Sequence, residues 1–168
     1  MHRSTALAFV LITFSALLHA GVPEAYRPLV VTADFSFSER RFDLTEAVQQ
    51  ARISGRPLFI YVGAEDCAPC KQFSGFLLEN FASLRDPLAA VVLVDVRTWM
   101  RGPKISFTVG QRQFSVNEFK ARTGDQRQQF AYPYFWLLKS DLQQIRQLPS
   151  GSANYMPVER LRKLILVP

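Results

Sequence analysis

Histidine and cysteine are scarce in this chain of 168 residues, which has two of each. Both histidines, His2 and His19, lie in an N-terminal stretch that is typical of an export leader. Removal of that leader would leave no histidine, which excludes Ser-His-Asp and Cys-His catalysis and a copper or zinc site of the imidazole type. Two cysteines also fall short of the four ligands of a structural zinc site. We therefore predict no metal site.

The first 20 residues have the organisation of a signal peptide. Arg3 provides a basic head, and residues 6–18 form an almost wholly apolar stretch that is too short to span a bilayer. Ala20 is a small residue suited to cleavage before Gly21, although Leu18 is larger than the residue usually preferred at its position. We predict a signal peptide over residues 1–20 and a periplasmic or secreted protein, with an uncleaved membrane anchor as the alternative.

The charge is modestly basic, with 20 Lys and Arg against 14 Asp and Glu, a net of +6. Loss of Arg3 with the leader would leave 19 against 14, or +5. No run reaches the five or six like charges of a binding tail, which favours solvated surface charge over attraction to acidic proteins or membrane surfaces. Nucleic acid is not expected as a partner of an exported protein. Residues 21–168 suffice for one domain with a core.

Hydrophobic periodicity predicts alternating helices and strands after an extended arm at 21–31, in which Val30 and Val31 could add an edge strand. In the helix at 115–123, Ser115 and Glu118 have the spacing of a capping box, and Gly124 closes it. A proline, Pro87, is expected to end the helix that follows the cysteines. The remaining predictions are a helix at 42–54, buried strands at 58–62 and 89–96, a hairpin at 105–114, strands at 132–138 and 142–148, and a helix at 156–166.

The two cysteines form the motif Cys67-Ala68-Pro69-Cys70, between a buried strand and a helix. A thiol at a helix N-terminus faces unpaired N–H groups and the positive end of the helix dipole, which favours the nucleophilic thiolate. The second cysteine can resolve a mixed disulfide. The spacing therefore favours thiol–disulfide chemistry. An inert structural disulfide is the alternative, although so short a loop contributes little chain entropy. Helix geometry predicts that Cys67 is exposed and Cys70 shielded.

This order of elements resembles the thioredoxin-like superfamily over residues 43–167. The matching residues are the apolar strand 58–62, the motif with its flanks at 64–71, Val94-Asp95-Val96, Tyr132-Pro133-Tyr134-Phe135 and the hairpin at 139–141. An insertion at 107–123 is similar to those of exported members from the bacterial envelope. The resemblance implies an α/β thioredoxin fold: a central mixed sheet flanked by helices at 43–168, an N-terminal extension at 21–42, and an insertion before a cis-proline strand.

The resemblance also implies roles for individual residues. Cys67 is the nucleophile and Cys70 the resolving cysteine. Pro133 follows a cis bond beside the sulfurs, and the backbone of Tyr132 receives an extended substrate. The implied protein is a monomeric, cofactor-free thiol–disulfide oxidoreductase that acts on protein or peptide disulfides with a membrane or periplasmic redox partner. A binding or chaperone module without redox turnover is the alternative, suggested by Asp66 and the aromatic stretch 132–136.

Three positions depart from the family pattern. Asp66 replaces a frequent tryptophan, Tyr61 replaces a buried aspartate, and the lysine that can accompany that aspartate aligns near Val91. Negative charge at Glu65 and Asp66 raises the pKa expected for the Cys67 thiol, and Lys71 and the helix dipole partly offset it. We predict a pair that reduces rather than oxidises, since strong oxidants stabilise the thiolate.

Overall fold

A computed structural model describes residues 20–35, 39–151 and 157–166. The predicted leader up to His19 and Met156, the predicted start of the last helix, lie outside these residues. The strands are β1 (Leu29–Thr32), β2 (Asp34–Phe35), β3 (Glu39–Asp43), β4 (Leu58–Ala64), β5 (Val92–Thr98), β6 (Lys104–Val109), β7 (Arg112–Ser115), β8 (Tyr134–Leu138) and β9 (Gln144–Arg146). The helices are α1 (Thr45–Ser54), α2 (Ala68–Glu79), α3 (Phe81–Ala89), α4 (Val116–Thr123) and α5 (Val158–Ile165).

A five-stranded mixed sheet in the order β1-β5-β4-β8-β9 forms the centre of the fold. Strands β1, β5 and β4 run parallel, whereas β8 and β9 are antiparallel to their neighbours. The α/β class, the mixed sheet and the flanking helices agree with the prediction. None of the helices in the three described ranges is both long enough and apolar enough to cross a bilayer.

Strand β4 is buried along its whole length, and its alternating side chains supply two hydrophobic cores. Leu58, Ile60 and Val62 face the core that also contains the buried residues of α1 and Phe119 of α4. Phe59 and Tyr61 face the opposite core, which the buried side chains of α2, α3 and α5 complete. A strand covered on both faces requires this continuous apolar run. The strand therefore ends in the middle of the fold, where the cysteine motif follows.

A second, four-stranded sheet in the order β2-β3-β6-β7 lies beside the first core. The predicted hairpin at 105–114 is confirmed as the antiparallel pair β6–β7. Strand β3 pairs parallel with β6, so the segment before α1 and the segment after β5 form one sheet. Phe42 of β3 and Phe107 of β6 are fully buried in the core shared with α4.

The N-terminal segment joins the central sheet. Strand β1 pairs with β5 in parallel, with Leu29 opposite Val94, which confirms the predicted edge strand around Val30. A short 3-10 turn precedes it, and the hydroxyl of its buried Tyr26 donates a hydrogen bond to the carbonyl of Leu77 in α2. This contact holds the segment against the cysteine-bearing helix.

Three helix predictions need correction. The first helix begins at Thr45, not at residue 42, because Phe42 belongs to β3. The helix after the cysteines is divided at Asn80, whose side-chain amide donates to the carbonyl of Phe76 and so satisfies the last turn of α2. Pro87 does not end the second helix: it is buried inside α3, which continues to Ala89.

The helix α4 confirms its predicted start and end. The Ser115 hydroxyl accepts a hydrogen bond from the Glu118 backbone, and the Glu118 carboxylate accepts one from the Ser115 backbone. The Ser115 hydroxyl and the Ser115 N–H both donate to the Glu118 carboxylate, and these two hydrogen bonds lower the pKa of Glu118. Gly124 ends the helix with a φ of 76°, in the left-handed region that favours glycine.

We expect Gly63→Ala in β4 to lower the free energy of unfolding by about 1–3 kcal/mol, as overpacking does. A Cβ at Gly63 would lie 2.2 Å from the Tyr61 hydroxyl oxygen. The Tyr61 ring cannot move freely, because it stacks on Phe73 with centroids 5.4 Å apart. Urea denaturation measures the change. The control is Gly75→Ala in α2, where an added Cβ meets nothing within 4 Å, so an equal loss there would contradict the explanation.

Candidate functional site

Cys67 and Cys70 lie where β4 meets the N-terminus of α2. Cys67 is the N-cap residue, in an extended conformation, and its sulfur accepts a hydrogen bond from the Cys70 N–H at 3.2 Å. Pro69 lies in the first turn, where the missing N–H of proline costs no helix bond. The two cysteines are joined by a disulfide, with their Cα atoms 5.2 Å apart. The pair thus has the helix-terminus setting that favours a thiolate on Cys67.

Both cysteines are covered. Cys70 is 0% exposed, as predicted for the residue one turn into the helix, but Cys67 is only 1% exposed. The expectation of an exposed Cys67 is therefore wrong for this state of the chain. Ala20 and Ala64 form one buried cluster with the two cysteines, and Tyr132 packs against it. Helix geometry could not predict this cover, because Ala20 comes from a distant part of the sequence.

The segment before β8 contributes a second wall of the site. The Tyr132–Pro133 peptide bond is cis, which confirms the prediction for this bond. The Tyr132 side chain packs on the cysteine cluster, and burial raises the pKa of its phenol. Pro133 is buried, and its carbonyl accepts the Gly151 N–H at 2.9 Å. Its backbone is therefore tied to the loop that follows β9.

Asp66, the residue before the motif, anchors a neighbouring loop. Its carboxylate accepts the backbone N–H of Met100 at 2.7 Å, and the Glu65 N–H donates to the Thr98 carbonyl at 2.9 Å. Asp66 is itself exposed, and so is Lys71 in the first turn of α2. Glu65 and Asp66, which we call the acidic flank, therefore form part of the contact between the end of β4 and the end of β5. The sequence alone did not predict this contact.

The buried guanidinium of Arg40 also holds the loop that contains Met100. Arg40 in β3 is 4% exposed and donates to the Thr98 hydroxyl and to the carbonyls of Trp99 and Pro103. These bonds satisfy a charged side chain that would otherwise be costly to bury. They hold the loop 98–103 beside the cysteine motif. Sequence reasoning gave Arg40 no role.

Three exposed apolar side chains lie on this loop and the adjoining strand. Trp99 is 45% exposed, Met100 55% and Phe35 of β2 60%. The rings of Phe35 and Trp99 are 6.0 Å apart. We call these three residues the apolar rim. Through the bond from the Met100 N–H to Asp66, the rim adjoins the residue that precedes Cys67.

A buried carboxylate lies on the strand next to Tyr61. The register of β4 and β5 pairs Tyr61 with Asp95. Asp95 is fully buried; its Oδ2 accepts the Val22 N–H at 3.1 Å and the Arg97 Nε–H at 2.8 Å. Burial raises the pKa of Asp95, and these two contacts oppose the rise. The sequence placed Asp95 near a strand end without predicting these partners.

No family model matches this chain, and neither a curated protein nor a solved structure matches it.

Proposed function

We propose that this protein is an exported thiol–disulfide oxidoreductase with a thioredoxin fold, acting on protein or peptide disulfides. The observation that carries the proposal is the position of Cys67 as N-cap of α2, with Cys70 one turn later and within reach to form a disulfide. The mixed sheet, the motif after its buried strand β4 and the cis bond before Pro133 agree with what the family resemblance implies.

The chemistry is a two-step exchange. The Cys67 thiolate attacks one sulfur of a substrate disulfide, forming a mixed disulfide and releasing the first substrate thiolate, which takes up a proton. Cys70 then loses its proton and attacks the Cys67 sulfur, which releases the second substrate thiolate. The substrate gains two electrons and the protein becomes the Cys67–Cys70 disulfide. A membrane or periplasmic dithiol partner must return two electrons for a second cycle.

A reducing function is favoured over an oxidising one by the acidic flank. Negative charge on Glu65 and Asp66 destabilises a nearby thiolate, whereas a strong oxidant requires a very stable thiolate. We expect equilibration with glutathione to give a reduction potential of about −200 mV or below. A potential of about −120 mV, at the strongly oxidising end of the scale, would reverse the proposed direction.

The Asp66 carboxylate carries both the charge and the loop contact, and two substitutions separate them. We expect Asp66→Asn to lower the pKa of the Cys67 thiol, because its amide oxygen can still accept the Met100 N–H while the charge is lost. Because the residue is exposed, the expected shift is under about one pKa unit. The pH dependence of Cys67 alkylation measures it. Asp66→Ala also removes the loop contact, so an unchanged pKa in both variants would show that the charge is screened.

A second candidate is a binding or chaperone module that keeps the fold without turnover. It is favoured by the burial of both cysteines and by the exposed apolar rim of Phe35, Trp99 and Met100. The rim offers contact area to apolar segments of an unfolded protein.

Reduction of insulin disulfides separates the two candidates. The chain beginning at Gly21, supplied with dithiothreitol, is expected to accelerate insulin reduction above the rate of dithiothreitol alone. Suppression of aggregation without any acceleration would overturn the oxidoreductase proposal and favour the chaperone. The control is the same chain with both cysteines alkylated.

A further inference from the structure

We propose that the Ala20–Gly21 peptide bond is a maturation site that controls access to the cysteine pair. Cleavage there removes the cover over Cys67 and creates an α-ammonium group on Gly21 that pairs with the buried carboxylate of Asp95. This inference deepens the proposed function, because it rests on an exported protein whose leader is removed.

Ala20 is the cover that cleavage removes. It is 2% exposed and belongs to the buried cluster of Ala64, Cys67 and Cys70. The Tyr61 hydroxyl donates a hydrogen bond to the Ala20 carbonyl at 2.6 Å, which holds the residue in place. Since Ala20 leaves with the leader, one face of the cysteine cluster opens.

Gly21 is the residue whose amino group cleavage creates. A Cβ built on Gly21 would lie 2.7 Å from Asp95 Oδ2 and 3.0 Å from Arg97 Nε, so a larger residue here would displace these two side chains. In the uncleaved chain the Gly21 nitrogen is part of a peptide bond. Once that bond is broken, a rotation of about 120° around the Cα–C bond of Gly21 carries the nitrogen to the place that the Cβ would occupy. That place lies 2.7 Å from Asp95 Oδ2 and 3.0 Å from Arg97 Nε, so the partly exposed Arg97 side chain must move aside to admit the ammonium group.

Asp95 has the capacity to receive this group. Its Oδ1 is buried and has no hydrogen-bond partner among the described residues, while Oδ2 is shared by Val22 and Arg97. The other charged group that acts on it is Glu65, whose negative charge opposes ionisation of Asp95. Within the described part of the chain, Arg97 is therefore the one cation shown to act on Asp95. A second cation at Gly21 would balance the site.

The cleavage step is a simple hydrolysis. Water breaks the bond between the Ala20 carbonyl carbon and the Gly21 nitrogen; Ala20 leaves as a carboxylate and Gly21 becomes an ammonium group. A peptidase of the signal-peptidase class supplies the catalysis. Ala20 and Gly21 are both buried in the folded chain, so cleavage must precede the folding of this segment, and the cleaved chain then folds without Ala20 over the cysteine pair.

Two chains that differ by one residue test the cover. One begins at Gly21 and the other retains Ala20 as its first residue; both are reduced, and Cys67 alkylation by iodoacetamide is followed by mass spectrometry. We expect alkylation to be about tenfold faster in the chain that begins at Gly21, because the thiol is accessible there. Equal rates would overturn the role of Ala20 as a cover.

The ion pair is tested on the Gly21 chain by the labelling rate of its α-amino group at neutral pH. A carboxylate partner favours the unreactive ammonium form, so we expect Asp95→Asn to label about tenfold faster than the unchanged chain. The control, Asp141→Asn in the turn before β9, should label at the unchanged rate. An unaltered rate in Asp95→Asn would refute the pair, and so would a shift of equal size in the control.

The two proposals fail in different ways. If the Gly21 chain reduces insulin while alkylation and labelling show neither difference, the maturation site is wrong and the oxidoreductase stands. If both differences appear without insulin reduction, the maturation site stands and the oxidoreductase is wrong. Full-length chain exported from a bacterial host must also begin at Gly21; a different N-terminus in the exported protein would overturn the assignment of the bond.

Discussion

In Cys67→Ser, the rate of insulin disulfide reduction is expected to fall to the rate measured without the protein. A serine hydroxyl cannot replace the thiolate that attacks the disulfide. Cys70→Ser is expected to lose steady turnover as well but to accumulate a mixed disulfide, since nothing then attacks the Cys67 sulfur. These expectations follow from the roles proposed for Cys67, at the N-cap of α2, and Cys70, inside that helix. Non-reducing gels of each variant after incubation with oxidised insulin reveal the trapped complex.

The two serine variants are expected to behave differently, because the proposed roles of Cys67 and Cys70 differ. Accumulation of mixed disulfide in Cys67→Ser but not in Cys70→Ser would reverse the two roles. Retained turnover in Cys67→Ser would exclude the pair from the reaction altogether. Ser74→Ala is a matched control, because Ser74 is a buried residue of the same helix with no part in the exchange.

The largest expected loss of stability outside the hydrophobic cores follows from Arg127→Met, at about 3–5 kcal/mol, because a buried carboxylate loses its counter-charge. Arg127 is paired with Asp125, whose side chain is fully buried, and it also donates to the carbonyls of Leu148 and Phe135. Its guanidinium lies 3.8 Å from the ring centroid of Tyr134, whose hydroxyl donates to the same Asp125 carboxylate. One residue thereby joins the loop after α4 to β8 and the loop after β9.

The loss should depend on pH in a defined direction. Burial alone would raise the pKa of Asp125, but the hydrogen bonds and charge of Arg127 lower it below its ordinary value. The pair therefore stabilises the unchanged protein above the unfolded pKa of Asp125, about 3.9, and this stability is lost as pH falls through the lowered folded pKa. In Arg127→Met the same burial raises the Asp125 pKa, so the difference between the two proteins should shrink as the carboxyl becomes protonated.

Urea denaturation at neutral and acidic pH measures that difference. Arg122→Met is the control, because Arg122 is an exposed arginine that donates to a single exposed carbonyl, that of Asp141. A similar loss of stability in both variants, or a difference that grows as pH falls, would refute the role of the Asp125–Arg127 pair.

Local sequence signals predicted the parts of the site that neighbouring residues determine. The apolar run of β4, the capping box at Ser115 and the cysteine pair at the start of a helix each depend on residues a few positions apart, and the structure contains all three. Tyr132–Pro133 was predicted through the family resemblance, and its peptide bond is cis.

The features that sequence reasoning missed arise from contacts between distant segments. The cover of Cys67 by Ala20, the anchoring of Met100 by Asp66 and the loop contacts of Arg40 join residues that no periodicity connects. The division of the second helix at Asn80 was missed because the apolar spacing continues across the break, with Leu77 and Leu84 in the same core.

The pairing of β1 with β5 has a consequence for the order in which the chain can fold during synthesis. Leu29 is made early, but its partner Val94 becomes available only after the whole of α1, β4 and the two helices α2 and α3 has been produced. Strand β4 also needs β8, which is made later still. Contacts of such long sequence separation form slowly, so a nascent chain remains open until most of it has emerged. If the chain is exported as we propose, that delay would leave time for it to cross a membrane unfolded, before the central sheet forms.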